Sequence, residues 1–167
     1  MLNSIIKAWA LVGGGLLLAI IVATTLNVAG LGIDRVTLAL FDWPFPFYFQ
    51  GYEELVKFFA GVSALMFLPW CQFERGHVAV DFLANRLGPR FNQFINLLSL
   101  AGFAALAIFL FYWMVPGMLQ LRSDKAVSRI LNWSEWWFYL PCLASLFLWF
   151  LVLLQQMVQT LWVPKRA

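Results

Sequence analysis

The residue types that most often bind metals or cofactors are scarce in this sequence. It contains one histidine, His77, and two cysteines, Cys71 and Cys142, which form no CxxC pair. A structural zinc site needs four ligands of this kind, and a haem held between two helices normally takes two axial histidines. The sequence also lacks a phosphate-binding glycine loop and a nucleophile elbow. We therefore predict no metal site, no cofactor and no enzyme activity.

A second group that could do chemistry is the cluster Glu53, Glu54 and Lys57. Glu53 precedes Lys57 by four residues, which is the spacing of an ion pair on a helix. Two interpretations remain open: the cluster anchors a helix at the membrane interface, or it makes a polar contact with a second membrane protein. A transport site is a weaker interpretation, because ionisable residues that mark ion paths lie in mid-membrane.

Composition defines the solvent of the protein. The chain has 167 residues, of which 63% are hydrophobic and 11% are charged, whereas soluble domains have about 45–50% apolar and about 25% charged residues. The basic residues stand at the ends of apolar runs, so the net charge of +3 relates to orientation in a bilayer rather than to nucleic acid. We predict one membrane domain over residues 1–167 with lipid as a partner.

Four apolar stretches are long enough to cross a bilayer, for which a helix needs about 20 residues. They cover residues 4–28, 55–73, 96–119 and 136–163. Helices are expected because each one satisfies its own backbone polar groups inside lipid. The predicted fold is an all-α integral membrane protein of four transmembrane helices.

The orientation follows from the distribution of Lys and Arg. Basic residues are more numerous on the side that holds both termini, which predicts cytoplasmic termini and an outer loop from Asp34 to Tyr52. The cytoplasmic set is Lys7, Arg75, Arg86, Arg90, Lys165 and Arg166, and the outer set is Arg35, Arg122, Lys125 and Arg129.

The segment between the second and third spans has a helical pattern of its own. Val80, Leu83 and Leu87 follow the i, i+3, i+7 spacing on one side. His77, Asp81 and Asn85, each four residues apart, form a polar stripe on another. This pattern predicts a short amphipathic helix that lies along the cytoplasmic interface.

Two sets of residues are expected to contact lipid headgroups. Basic side chains near this segment suit anionic headgroups, and tryptophans before the fourth span suit the aromatic belt of a membrane protein. These residues are Arg75, Arg86, Arg90, Trp133, Trp136 and Trp137.

Residues 53–57 and 74–83, separated by an uncharged helix, carry a resemblance to a known family. They resemble the small membrane subunit of TRAP transporters, the tripartite ATP-independent periplasmic uptake systems. Members typically show Glu-Glu-Leu-x-Arg at the start of the second span and His-Ile/Val-x-Val-Asp after it. Lys57 stands at the position of the usual arginine, while His77 and Asp81 match directly.

The resemblance implies a function in the inner membrane of a bacterium. In such systems a periplasmic binding protein delivers an organic acid to a large membrane subunit, which moves it inward by a sodium-driven elevator motion. The small subunit would brace the large one and would coordinate neither sodium nor substrate. By this resemblance Glu53, Glu54 and Lys57 would tie the second span to the complex, and His77 and Asp81 would fix the cytoplasmic turn.

Two other functions remain as alternatives. One is a stand-alone small oligomeric transporter, which the absence of charge inside the spans disfavours. The other is a membrane anchor subunit of a different complex, such as a respiratory enzyme, which the single histidine disfavours.

Overall fold

The computed structural model describes residues 2–43, 50–74 and 89–162. Four long helices account for most of these residues, and all four are long and apolar enough to cross a membrane. This confirms the predicted all-α membrane fold. The helices are α1 (Leu2–Phe41), α2 (Tyr52–Phe73), α3 (Pro89–Ser123) and α4 (Tyr139–Trp162), and a 3₁₀ turn (Glu135–Phe138) precedes α4.

Helix α1 is longer than its predicted span. It has 40 residues and continues to Phe41, so the prediction of a loop beginning at Asp34 is wrong. Asp34 and Arg35 are not helix breakers, and apolar residues resume directly after them. The helix ends only where Asp42 takes a positive φ of 51°, a conformation that Asp tolerates better than most residues.

The other boundaries differ less from the predictions. Helix α3 begins at Pro89 instead of residue 96, because proline suits the first helical position, where its missing N–H costs nothing. Trp136, the predicted start of the last span, lies in the 3₁₀ turn before α4. The amphipathic helix predicted from His77 lies outside the described residues.

The four helices pack in the order α1, α2, α4, α3. Helix α2 packs against both α1 and α4, and α3 packs against α4; Trp9 of α1 also reaches Ser145 of α4. Helices α2 and α4 run in the same direction, so both begin at one end of the row. We call the end that contains Tyr52 and Tyr139 the upper end, and the end that contains Phe73 and Trp162 the lower end.

Two apolar clusters hold the row together. Helix α1 approaches α2 closely at Gly13, where an added Cβ would lie 3.1 Å from the Cβ of Met66; small residues commonly allow such approaches between membrane helices. One cluster joins α3 to α4 through Leu100, Ala104, Ala107, Leu146, Trp149 and Leu153, and the other contains Val62, Met66 and Cys142.

Neutral polar side chains join three helices at the lower end. Gln72 Nε2 donates to Gln156 Oε1 at 2.7 Å, and Gln156 Nε2 donates to the backbone oxygen of Gln72 at 2.7 Å. Gln93 Nε2 on α3 donates to the backbone oxygen of Thr160 at 3.0 Å, and Asn96 Nδ2 lies 3.5 Å from Thr160 Oγ1. We call this set the glutamine clasp.

Candidate functional site

The candidate site is at the upper end, where α2 begins. Gly51 precedes the helix with φ 93°, and its carbonyl oxygen accepts hydrogen bonds from the backbone N–H groups of Glu54 and Leu55, both at 3.1 Å. An added Cβ at Gly51 would lie 3.1 Å from side-chain atoms of Ile130 and Leu131. Position 51 therefore favours glycine for two reasons: its φ is positive, and a larger side chain would crowd the loop before α4.

Glu54 turns its carboxylate into that loop. Its oxygens accept hydrogen bonds from Ser128 Oγ and from three consecutive backbone N–H groups, those of Arg129 at 3.0 Å, Ile130 at 3.2 and 3.3 Å and Leu131 at 3.2 Å. Consecutive N–H groups around one anion form a nest, and charge-assisted bonds of this kind are among the stronger hydrogen bonds in proteins. We call this arrangement the carboxylate latch.

The loop that receives Glu54 is itself closed by backbone bonds. Ser128 N–H donates to the oxygen of Trp133 at 2.9 Å, and Glu135 N–H donates to the oxygen of Ala126 at 3.1 Å. Asn132 completes the turn with a positive φ of 53°. Because the loop leads directly into the 3₁₀ turn and α4, the carboxylate latch fixes the start of α2 relative to the start of α4.

Aromatic rings pack below the latch. Phe138 stacks on Phe58 of α2, with ring centroids 4.4 Å apart and nearly parallel planes. The ring centroid of Trp133 lies 6.0 Å from that of Phe138. The guanidinium of Arg122, at the end of α3, lies 5.2 Å from the ring centroid of Trp136. These contacts join α2, α3 and the 3₁₀ turn at one level of the row.

The three residues of the predicted cluster point in different directions. Glu54 is half-buried in the latch, whereas Glu53 and Lys57 are exposed. Lys57 Nζ lies 5.8 Å from the ring centroid of its neighbour Phe58, and no ion pair between Glu53 and Lys57 is found in the described part of the chain. Sequence spacing placed these residues near each other but did not identify the one that bonds inward.

The remaining predicted site residues fall into two groups. Trp133 and Trp137 are exposed at the upper end, and Trp136 is half-buried against Arg122; contact of the three side chains with lipid stays a prediction. Arg90 lies in α3, and its side chain is not described. Arg75, His77, Asp81 and Arg86 lie outside the described residues, so their roles stay predictions.

Sequence reasoning missed several residues that connect the helices. Gly51 and Ser128 complete the latch, and Gln72 and Gln156 form the central pair of the clasp. A glycine before a helix that starts with two glutamates indicates a turn, but its closeness to Ile130 depends on the tertiary fold. The glutamines were visible as the polar residues at the ends of two apolar runs, without any indication that they face one another.

The described site offers structural bonding rather than reactive groups. Among the described residues no group of three or more His, Cys, Asp and Glu residues could hold a metal ion. Cys142 is buried in α4 and Cys71 is exposed on α2, and both are free. Each carboxylate oxygen of Glu54 already accepts hydrogen bonds from the chain itself.

Fold and site together define a small multi-pass membrane protein whose described polar groups connect helices to one another. A family model described as "Tripartite ATP-independent periplasmic transporters, DctQ component" matches residues 40–162. The chain belongs to this family and is a small membrane component of a TRAP transporter. The match confirms the predicted family and begins at the end of α1, so it covers α2, α3 and α4.

Membership has direct consequences for class and location. The family is one of transporter components and is not an enzyme class, and its members associate with a large membrane subunit and a binding protein. Together with the four apolar helices, it makes the chain a multi-pass inner-membrane protein. Comparison with curated proteins and with solved structures gave no match.

Proposed function

We propose that this chain is the scaffold of its transporter: it braces the large membrane subunit while that subunit carries an organic acid inward by a sodium-driven elevator motion. The binding protein supplies the substrate from the periplasm. The chain itself binds neither substrate nor sodium.

The observation that carries this proposal is the absence of charge inside the spans. The sequence has no Asp, Glu, Lys or Arg between Lys7 and Asp34, between Lys57 and Glu74, from residue 91 to 121 or from residue 136 to 164. An ion or carboxylate that crosses the hydrocarbon region needs polar or charged groups along its path. The substrate path therefore belongs to the partner.

The two ends of the row support a bracing role. The carboxylate latch at the upper end and the glutamine clasp at the lower end hold α2 to α4 and its loop at both ends. A scaffold must keep one geometry while a neighbouring subunit moves, and hydrogen bonds at both ends of two adjacent helices limit their sliding and tilting.

The test is purification of the tagged chain from its native membrane, followed by uptake measurements in proteoliposomes. We expect a stoichiometric complex with a much larger multi-span subunit and sodium-dependent uptake only when that subunit and the binding protein are present. Recovery of the chain alone as a homo-oligomer, or uptake by the chain alone, would overturn the proposal and favour the stand-alone transporter.

The exposed charges at the upper end are proposed as partner contacts. Glu53 and Lys57 face away from the latch and remain available for a polar contact with the large subunit. His77 and Asp81 are proposed to fix the cytoplasmic turn, where Ala at both positions should reduce complex assembly. Headgroup contact is proposed for Arg75, Arg86, Arg90, Trp133, Trp136 and Trp137.

The orientation proposed for the row places the upper end in the periplasm and both termini in the cytoplasm. A variant with Cys71→Ser, Cys142→Ala and Lys125→Cys carries one thiol, at the exposed upper end. In intact spheroplasts we expect a membrane-impermeant maleimide to label it. Labelling only after the cells are opened would reverse the orientation.

A further inference from the structure

Helix α1 extends well beyond the helix on which it packs. Gly13 lies against Ser63 and Met66, and Leu26 and Asn27 line one apolar cleft with Leu55. The two helices are thus antiparallel, and α1 reaches the first turn of α2 at about Asn27, with Gly30 one turn further along as its last buried residue. Residues 28–41 continue as helix past that point for 14 residues, or about 21 Å. We call residues 28–41 the arm.

Most of the circumference of the arm is apolar. At 100° per residue, Gly30, Asp34 and Thr37 share one partly buried face, and the large apolar side chains cover the rest of the helix, where each of them is 43–75% exposed. These side chains are Val28, Leu31, Ile33, Val36, Leu38, Leu40 and Phe41. The charged residues are Asp34 and Arg35, whose charges cancel. A helix that is apolar over most of its surface is normally enclosed by lipid or by protein on those sides.

The length of the arm excludes lipid as its complete cover. Helix α2 has 22 residues, about 33 Å, which matches the hydrocarbon thickness of about 30 Å and leaves room for little tilt. Since α1 lies along α2, the arm starts near the upper membrane surface. The headgroup layer adds only roughly 5–8 Å on each side, so the distal half of the arm, with Leu38, Leu40 and Phe41, lies beyond it.

We propose that the arm is a docking element that seats in an apolar groove of the large membrane subunit, on the side of the upper end. This inference rests on the proposed scaffold function. The neutral charge of the arm offers no complement to a charged partner surface, whereas permanent interfaces are more apolar than transient ones. The binding protein must leave in every cycle, and its departure would return the large apolar side chains beyond the headgroup layer, those of Leu38, Leu40 and Phe41, to water. A permanent partner avoids that cost.

The first test is photo-crosslinking in native membranes of the assembled transporter. A photo-reactive amino acid at Leu38 or Leu40 should crosslink to the large membrane subunit whether or not the binding protein is present. The same probe at Leu11, which is 68% exposed but lies alongside α2, reports the surroundings of the lipid-embedded part of the helix. Crosslinks from the arm to the binding protein alone, or to lipid alone, would overturn the inference.

The second test separates this inference from the function on which it rests. The double variant Leu40→Ser with Phe41→Ser should reduce the recovered large subunit by roughly tenfold, as expected for loss of anchor side chains from an interface. Ala39→Ser is the matched control and should change recovery little. The side chains of Leu40 and Phe41 are at least 70% exposed, so the helix content of the purified double variant should equal that of the unmodified chain.

The outcomes are distinguishable. If the unmodified chain recovers no large subunit, the scaffold function fails. If the unmodified chain and the double variant recover the large subunit equally, only the docking role of the arm fails.

Discussion

The two ends of the α2–α4 pair are joined by different chemistry. At the upper end one carboxylate, that of Glu54, accepts bonds from Ser128 and from the backbone of residues 129–131. At the lower end two neutral amides, those of Gln72 and Gln156, bond to each other and to backbone. Both arrangements connect segments that are distant in sequence, but only one of them uses charge.

The difference follows from the surroundings. Glu54 is half-exposed at the end of a helix, where its charge stays partly solvated, whereas Gln72 is 4% exposed inside the packed row. A buried charge is costly, while a buried neutral amide that finds a partner is tolerated. The half-exposed position at the upper end can therefore use a carboxylate, whereas the buried position at the lower end uses neutral amides.

Loss of the Glu54 carboxylate is expected to have the largest effect. Glu54→Ala leaves the Ser128 hydroxyl and three backbone N–H groups without their common acceptor, so the loop and the start of α4 should loosen together. Among the single substitutions, we expect Glu54→Ala to give the lowest melting temperature, measured by thermal unfolding in detergent. It should also cause a clear loss of assembled transporter, measured by co-purification.

Glu53→Ala is the matched control, because it removes a carboxylate from the neighbouring residue, whose side chain is exposed. It should leave the melting temperature of the isolated chain unchanged. Equal effects of the two variants would show that the latch contributes no more than general charge at the helix start. Glu54→Gln should fall between them, since an amide keeps only one acceptor oxygen.

The backbone on which the latch depends gives the next largest effect. Gly51→Ala forces an L-residue into φ 93° and brings Cβ to 3.1 Å from Leu131, which should cost about 1–3 kcal/mol of unfolding free energy. Gly61→Ala is the control: this glycine lies inside α2 with nothing within 4 Å of an added Cβ, so the change should be neutral or stabilise by up to about 1 kcal/mol. A similar loss at both sites would mean that the added methyl group itself, and not the positive φ at Gly51, sets the result.

The clasp should be weaker and, unlike the latch, replaceable. Gln72→Leu removes the amide that pairs with Gln156 Oε1 and should cost about 1–2 kcal/mol, the range found for polar pairs between model membrane helices and near the upper limit within folded membrane proteins. The double variant Gln72→Leu with Gln156→Leu removes both amides and should recover much of this loss, because apolar pairs can replace buried polar ones. The backbone N–H groups of the latch allow no such rescue by an apolar residue at position 54. Additive losses in the double variant would contradict this contrast.

The helices were predictable from the sequence because their cause is local. Each apolar run must satisfy its own backbone groups in lipid, so four runs indicate four helices without knowledge of their packing. The error at Asp34 has the same origin: a charge pair was taken as the end of a span, although it interrupts neither helix propensity nor the apolar pattern that continues to Phe41. Helix length and membrane thickness are separate quantities.

The site was only partly predictable because its cause is not local. The cluster at 53–57 was identified as the feature to examine, but its spacing could not distinguish Glu54 from Glu53. The partners of Glu54 lie 74–77 residues further along the chain, and they are mostly backbone groups, which have no sequence signature. The glutamines of the clasp are likewise 84 residues apart.

The smallest effect is expected midway between the upper and lower ends, where Trp9 of α1 forms a hydrogen bond with Ser145 of α4. Trp9 Nε1 donates to Ser145 Oγ at 2.8 Å, and Ser145 Oγ donates to the backbone oxygen of Pro141 at 2.7 Å. Ser145→Ala removes the acceptor for Trp9 and should cost about 0.6 kcal/mol, the average for a polar bond between membrane helices. Ser63→Ala is the control, because Ser63 is equally buried but bonds only to Ala60 in its own helix. Helix α1 otherwise depends on apolar packing against α2, so a loss at Ser145 as large as that at Gln72 would mean that polar bonds hold the outer helix as firmly as they hold the central pair.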